Sequence, residues 1–434
     1  MYSQFMTESP SSPGECGDES AQSSQTDFPH WLRTITLFLT GQTLALFGTS
    51  VVGYAVIWYI TLKTGSGTQY ALMFVASSLA GAITTLPGGI WADRYSRKAL
   101  MIGADLLVAF LTVILAVAML SGYEQLWLII TLLCLRGLAG GVRAPAVLAT
   151  IPQLVPQARL LRVNSINASL QSLIFIAAPA LAAVLLVYFK LGWILMFDVV
   201  TAIIGVICIL MVTIPKLIVD STPEGLKGYV SHMAEAGRYV LTIPGLRRLG
   251  LIYIFILAIV LPPAQMTPVL VVRLFGNEQW KLALVEILWS VGMVIGGLIL
   301  AAWGGLKNRM TLIMIVAALW ATFTIGLGLS PNLLVFSVFM VVYGLTVPGF
   351  DSAAITSCQE LIPSHLLGRT MALVRFIASL AVPIGMGIMG PLADVINIRI
   401  VTVICGTLGL IFIAILSRDR GPSSQLFAPE NPTP

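Results

Sequence analysis

The chain has 434 residues, of which 57% are hydrophobic and only 10% carry a charged side chain. Soluble domains carry about 25% charged residues, so this composition excludes a protein that faces water on all sides. The net charge of +5 does not indicate a nucleic-acid partner, because the basic residues lie at the ends of apolar segments and form no single patch.

The N-terminal residues 1–30 are rich in Ser, Gln and Gly. They lack the basic start and apolar core of a signal peptide and are predicted to form a disordered cytoplasmic tail. Twelve apolar segments follow, each long enough to cross a hydrocarbon core of about 30 Å as a helix. The predicted segments are 34–62, 69–92, 99–121, 125–150, 165–189, 193–214, 249–272, 281–306, 310–329, 332–358, 369–391 and 397–417.

A polar segment, residues 215–248, divides these helices into two groups of six. The predicted fold is therefore an all-α polytopic membrane protein with twelve transmembrane helices. Its two six-helix bundles comprise residues 31–214 and 249–417, with 215–248 as a cytoplasmic linker loop and 418–434 as a second cytoplasmic tail.

The loops between the predicted helices alternate in charge. One set carries about sixteen Lys and Arg residues and the other about five, and basic loops stay in the cytoplasm. This asymmetry predicts a multi-pass protein of the bacterial inner (cytoplasmic) membrane with both termini in the cytoplasm. Five aromatic residues near the outer helix ends are expected to form an interfacial belt. They are Trp58, Tyr59, Trp127, Trp193 and Trp280.

The two halves contain an internal repeat. The segment "LRGLAGGVRAPAVLATIPQLVPQARLLR", which begins at Leu135, aligns without gaps with "VYGLTVPGFDSAAITSCQELIPSHLLGR", which begins at Val342. The offset of 207 residues pairs Gly137 with Gly344, in the fourth helix of each half. Parallel six-helix repeats are typical of secondary transporters whose substrate site lies between the halves.

Two motifs resemble the major facilitator superfamily. "GIWADRYSRK", residues 89–98, is similar to the superfamily's loop pattern G-x-L-A-D-R-x-G-R-K between helices two and three, with Trp91 and Ser96 as departures. "RGLAG", residues 136–140, is similar to its fourth-helix pattern R-x-x-x-G. Further segments, such as "RKALMIGADL" and "SVGMVIGGLIL", resemble the macrolide-efflux proteins of that superfamily.

This resemblance implies a role for the charged loop. Its residues Gly89, Asp93, Arg94, Arg97 and Lys98 are expected to form a conformational latch between the halves. The Asp93 carboxylate would face the free N–H groups at the start of the eleventh helix, and Arg97 would complete the contact when the cavity is closed to the cytoplasm. The corresponding part of the second half has no aspartate, so the latch is predicted on one side only.

Charged residues inside the predicted helices are the candidates for function. A charge at a helix centre costs about 2.5–3.5 kcal/mol on insertion scales and is a functional hypothesis by default. Arg136 lies near mid-depth, where it is either a structural residue or the partner of a carboxylate that exchanges a proton. Glu286 is the first candidate for that proton-coupling carboxylate. Asp198 is the second, unless it is simply wetted from the outer surface.

Four more charged residues are expected to form two ion pairs, because the members of each pair lie at similar depth in the membrane. Asp105 and Arg143 lie at similar depth in helices three and four, and Asp351 and Arg375 do so in helices ten and eleven. Each charge lowers the burial cost of its partner. The sequence leaves open whether these are structural ion pairs or parts of a moving gate.

The resemblance and the residues together predict proton-coupled export of an amphipathic organic compound, with a macrolide-like drug as first choice. A siderophore or secondary metabolite is the alternative, and nutrient uptake is less expected because the helices carry few Asn or Gln. A cationic drug would need Glu286 or Asp198 in the cavity, and an anionic chelator would need Arg136 or Arg143.

No catalytic, metal-ligand or phosphate-binding pattern occurs, so neither an enzyme nor a cofactor is expected. The expected partners are the substrate, protons and the bilayer, with the protein as a monomer.

Overall fold

The computed structural model describes residues 30–214, 234–235, 237–306, 308–362 and 364–418. Within these ranges the side chains of Asp93, Ala372, Arg375 and residues 364–369 lie outside the description. The tail 1–29, most of the expected linker and the tail 419–434 are likewise outside it.

Twelve helices in the described part of the chain are long and apolar enough to cross a membrane, as the sequence predicts. In chain order they are α1 (Trp31–Thr64), α2 (Gly67–Arg94), α3 (Arg97–Leu120), α4 (Leu126–Leu154), α5 (Gln157–Tyr188), α6 (Leu191–Met211), α7 (Pro244–Phe275), α8 (Gln279–Trp303), α9 (Arg309–Leu329), α10 (Leu333–Leu361), α11 (Ser364–Val395) and α12 (Ile398–Arg418).

Several helices extend beyond the predicted apolar segments. The largest difference is at α5, which begins at Gln157 and not at residue 165. Its first two turns carry Arg159 and Arg162, which lie before the apolar segment. Arginine is a good helix former, so the helix can include these residues although they are charged. Hydropathy therefore locates the edge of the apolar region, while the helix continues into polar surroundings.

Helix α7 is irregular in its middle. A π-helical turn, Ile256–Val260, precedes Pro262 and Pro263. Because proline has no N–H, two backbone hydrogen bonds of a regular helix are missing there, and prolines and π-helical turns are both known causes of helix kinks. Gly385 of α11 lies against this segment, where a Cβ atom would meet the Ala258 carbonyl oxygen and the Pro262 ring.

The same helix contacts recur in both halves. Helix α4 packs on α2, and α10 packs on α8; α6 packs on α3, and α12 packs on α9. The aligned glycines have equivalent places, since Gly137 approaches the Ser77 carbonyl of α2 and Gly344 approaches the Trp289 carbonyl of α8. The repeat found in the sequence is thus a repeat of helix packing, in which glycine permits close backbone approach.

The halves meet mainly along two seams, α2 against α11 and α5 against α8, and α1 also contacts α7. At the end that carries the loops near residues 65, 122, 189, 276, 330 and 396, one apolar cluster includes buried residues of both halves. We call this the joined end. At the opposite end, which carries the loops near residues 96, 156, 308 and 362, the buried apolar residues form separate clusters, one in each half. We call this the divided end.

Candidate functional site

A cavity of about 950 Å³, counted to the solvent at its mouth, lies between the halves. Helices α7, α8 and α10 supply most of its wall, and α1, α2, α5 and α9 supply the rest. Its aromatic lining residues are Tyr54, Trp58, Tyr70, Phe175, Trp289, Trp320, Tyr343 and Phe350. Its charged lining residues in the described part of the chain are two carboxylates, Glu286 and Asp351, with no lysine or arginine beside them. The cavity is therefore aromatic and acidic.

Glu286 lies at the start of the third turn of α8 and is only 7% exposed. Among the described residues, none joins its carboxylate by a hydrogen bond or an ion pair. One turn further along α8, the Ser290 hydroxyl donates a hydrogen bond of 3.0 Å to the Ile176 carbonyl of α5. Glu286 is thus held on a helix that spans the seam between the halves, while its carboxylate lines the cavity.

Trp58 also lines this cavity and is 2% exposed. Its expected place in an interfacial belt is therefore wrong. The reason is that the end of α1 packs into the joined end between the halves, where a tryptophan near a helix terminus is covered by protein and not by lipid headgroups. Trp127, Trp193 and Trp280 are each more than half exposed, as residues of a belt should be.

Asp351 lies on α10, toward the divided end of the cavity. It also lines a second, mainly apolar cavity of about 740 Å³ between α7, α10 and α11. The side chain of Arg375 lies outside the described residues, so its predicted pairing with Asp351 stays a prediction. Asp351 is the residue that the two cavities share.

Arg136 is buried in the core of the N-terminal half and pairs with Asp198. Its guanidinium donates to Asp198 Oδ2 at 2.8 Å, with side-chain exposures of 4% and 0%. The Thr49 hydroxyl donates to Asp198 Oδ1 at 2.9 Å, and the Thr112 hydroxyl lies 3.0 Å from Oδ2. Asp198 is thus not wetted from the surface, and four helices converge on one buried ion pair.

A second polar layer lies two helical turns away. The predicted pair is present, with Arg143 Nε 2.5 Å from Asp105 Oδ1. Arg143 also donates to the Gln42 carbonyl at 3.3 Å. The three residues of this layer each stand seven positions from a residue of the first layer on the same helix, so the two layers share one face of α1, α3 and α4. Neither arginine lines the cavity between the halves.

The expected latch lies at the divided end. The Arg97 guanidinium donates to the Ala149 carbonyl at 2.6 Å, and the Lys98 ammonium donates to the Val212 carbonyl at 2.8 Å. These contacts lie within the N-terminal half. Gly89 has open space beside it, Arg94 is exposed, and the Asp93 side chain is outside the described residues, so the proposed contact with α11 stays a prediction.

A set of contacts across the joined end could not be predicted from the sequence. The Asp394 carboxylate, near the end of α11, accepts hydrogen bonds from the Gly67 N–H at 2.8 Å, the Thr68 N–H at 2.9 Å and the Ser66 hydroxyl at 2.9 Å. It therefore caps the N-terminus of α2, in the other half. Arg273 of α7 donates to the Gly65 carbonyl at 2.7 Å and also contacts Asp394. We call these residues the joined-end clamp.

A further ion pair at the joined end stays within one half. Glu124, in the loop between α3 and α4, accepts hydrogen bonds from the Lys63 ammonium and, at 2.8 Å, from the Tyr59 hydroxyl. The hydrogen bond from Lys63 holds the pKa of Glu124 below its usual value. This pair fastens the end of α1 to the neighbouring loop and does not connect the halves.

The sequence of this chain is similar to a family profile and to known efflux proteins. The family profile described as Major Facilitator Superfamily matches residues 38–321 and 279–433. The chain is 30% identical to macrolide efflux protein A of Streptococcus pyogenes over 392 residues, which cover 90% of this chain and 96% of that protein. It is 25% identical to the multidrug efflux pump Tap of Mycobacterium tuberculosis over 375 residues, which cover 83% and 86% of the two chains.

Solved structures share the fold at much lower identity. The crystal structure of a POT family transporter in complex with 5-aminolevulinic acid is similar with a TM-score of 0.69 and 12% sequence identity. The similarity covers 91% of this chain and 96% of that one. At this identity the likeness is one of fold alone.

Proposed function

The chain belongs to the Major Facilitator Superfamily and is a multi-pass membrane transporter, and from this premise we propose that it exports amphipathic organic cations, macrolide-like drugs among them, in exchange for protons across the bacterial cytoplasmic membrane. The observation that carries the proposal is the cavity between the halves, with two carboxylates, eight aromatic residues and no described basic side chain. The efflux proteins that this chain resembles support the direction of transport.

The cavity chemistry favours a cation over an anion. Aromatic faces attract a cation that lies over them, and more strongly when water is excluded. Arg136 and Arg143, which an anionic chelator would need, are engaged by Asp198 and Asp105 inside the N-terminal half. This arrangement speaks against the siderophore alternative.

Proton coupling follows from the environment of Glu286. An ionised carboxylate in an apolar site without a hydrogen-bond partner is costly, so Glu286 requires either a proton or a cationic substrate beside it. The two exclude each other, because protonation removes the charge that attracts the cation. Binding a proton from one side would then release the drug there, and losing the proton to the other side would restore the site.

Alternating access would require the joined end to part and the divided end to close. In the described structure the joined end is held by the clamp of Asp394 and Arg273, so the cavity would be reached from the divided end. The basic loops lie at the divided end, which supports a cytoplasmic orientation for it. The substrate would then be loaded from the cytoplasm.

The proposal is tested with purified protein in proteoliposomes under an imposed pH gradient. A cationic macrolide is expected to accumulate against its concentration gradient. Glu286→Gln should abolish this uphill movement because the side chain can no longer exchange a proton. Glu278→Gln is the matched control, since Glu278 directly precedes α8, pairs with Lys281 at the joined end and lies outside the cavity. Undiminished uphill transport by Glu286→Gln would exclude Glu286 as the coupling residue, and no gradient-driven movement by the wild type would exclude antiport.

A further inference from the structure

Each half carries a groove between its first and fifth helices, at the divided end. The N-terminal groove lies between α1 and α5, and the C-terminal groove lies between α7 and α11 with α10 as an additional wall. Their linings correspond under the 207-residue repeat: Leu39 with Leu246, Thr43 with Gly250, Val163 with Thr370, Ile166 with Leu373, and Leu170 with Ile377. The repeat therefore applies to cavities as well as to helix contacts.

The two grooves differ in charge. The N-terminal groove is lined by two exposed arginines, Arg159 and Arg162. The C-terminal groove is lined by one charged residue among those described, Asp351, and otherwise mainly by apolar side chains such as Leu249, Tyr253 and Ala354. Among the described residues, the pseudo-equivalent grooves thus carry lining charges of opposite sign.

The C-terminal groove also borders the central cavity. Asp351 lines both. The ring of Phe350 in the cavity wall stacks on that of Tyr253 in the groove wall, with their centroids 5.9 Å apart. Helix α11, the outer wall of the groove, forms the seam with α2 of the other half. The groove therefore lies beside the central cavity, separated from it by a carboxylate and a pair of aromatic rings.

We propose that the groove between α7, α10 and α11 is a second substrate subsite, which binds the apolar part of an amphipathic cation whose charged centre lies at Asp351. This inference rests on the proposed export of such cations and adds where their apolar part binds. The groove holds about 740 Å³ of space, counted to the solvent at its mouth. Its mainly apolar wall would gain from burying an alkyl or aryl group, and Asp351 would orient the cation between groove and cavity.

Gly250 allows the groove to be filled without disturbing its wall. A Cβ atom built at this residue meets no other atom within 4 Å, and glycine is a poor helix former. Gly250→Phe should therefore place a ring in the groove and leave the helix intact. Gly250→Ala adds the Cβ atom alone, and Thr43→Phe places the same ring at the corresponding position of the N-terminal groove.

The experiment measures binding of a series of n-alkyltrimethylammonium ions, from hexyl to dodecyl, to the full chain in lipid nanodiscs, with empty nanodiscs as the reference. For the wild type the affinity should rise with chain length, by up to about fourfold per methylene group. Gly250→Phe should weaken dodecyl binding by roughly tenfold or more and leave hexyl binding nearly unchanged. Gly250→Ala and Thr43→Phe should retain the wild-type dependence on chain length, and Asp351→Asn should weaken all members by a similar factor.

Two results would overturn the subsite. One is an unchanged chain-length dependence in Gly250→Phe, after its thermal unfolding has been shown to match the wild type. The other is an equal loss in Thr43→Phe and Gly250→Phe. If the wild type binds no member of the series, the proposed class of cationic substrates is wrong, and the proposed subsite is wrong as well. If the wild type binds the series but Gly250→Phe does not change the dependence on chain length, only the subsite is wrong.

Discussion

At the scale of single residues, the N-terminal half is organised around charges that no solvent reaches. Arg136 and Asp198 are both almost fully covered, and Thr49 and Thr112 supply hydrogen bonds to the same carboxylate. A buried ion pair adds little stability compared with apolar residues of the same volume, but leaving one member alone is costly. These residues should therefore behave as a unit.

We expect Arg136→Met to destabilise the protein by about 3–5 kcal/mol, because Asp198 would stay buried without its counter-charge. The double variant Arg136→Met with Asp198→Leu should regain most of that loss. Thermal unfolding of the purified protein in one detergent would compare the single variants with the double variant. If the losses of the single variants simply add in the double variant, the two residues are not coupled.

Several single residues of the site could be predicted from the sequence. Arg136, Asp105, Arg143 and Glu286 stand out because charges are rare within apolar segments. The pairing of Asp105 with Arg143 could be predicted from depth, since their helices are consecutive and antiparallel. The partner of Arg136 was missed because Asp198 lies on a helix that is not adjacent in sequence, and depth alone does not say which faces meet.

At the scale of helices, α2 and α11 form a seam between the halves that is fastened at the joined end by a capping contact. The Asp394 carboxylate of α11 caps the N-terminus of α2, and the predicted latch would place the Asp93 carboxylate of α2 at the N-terminus of α11. At each end of this helix pair, an aspartate of one helix would then cap the N-terminus of the other helix. Asp394 could not be identified from the sequence, because a lone aspartate near a helix end resembles any loop residue.

Asp394→Asn should shift the protein toward the conformation in which the joined end is parted. An anion at a helix N-terminus contributes about 1–2 kcal/mol in favourable geometry, so its loss should change the conformer ratio roughly five- to thirtyfold. Spin labels at Ser121 and Leu334 report the separation of the halves at the joined end, and labels at Leu161 and Leu241 report it at the divided end. The first distance should lengthen and the second should shorten.

Glu278→Gln is the control for this measurement, because its carboxylate pairs with Lys281 three residues away and not across the halves. The conformer ratio should be unchanged in that variant. Equal shifts in both variants would mean that the clamp responds to the net charge of the joined end and not to the capping contact of Asp394.

At the scale of the whole molecule, the fold could be predicted from the sequence almost completely. Twelve apolar segments, a polar division after the sixth and a 207-residue repeat lead to two six-helix bundles, and the structure has them. The conformational state could not be predicted, because hydropathy and repeats are the same whichever end of the cavity is open. The conformational state follows from the buried side chains, which pack across the two halves at the joined end and within each half at the divided end.

The orientation of the molecule in its membrane decides whether the described cavity faces the cytoplasm. The basic loops favour a cytoplasmic divided end, and this orientation is also what export requires, because the substrate must enter from inside. In a cysteine-free background, Ser121→Cys at the joined end should react with a membrane-impermeant maleimide in intact bacterial cells. Leu161→Cys, which is 82% exposed at the divided end, should react only after the cells are permeabilised. The reverse labelling pattern would place the accessible side of the cavity outside the cell, and the same structure would then be loaded for uptake and not for export.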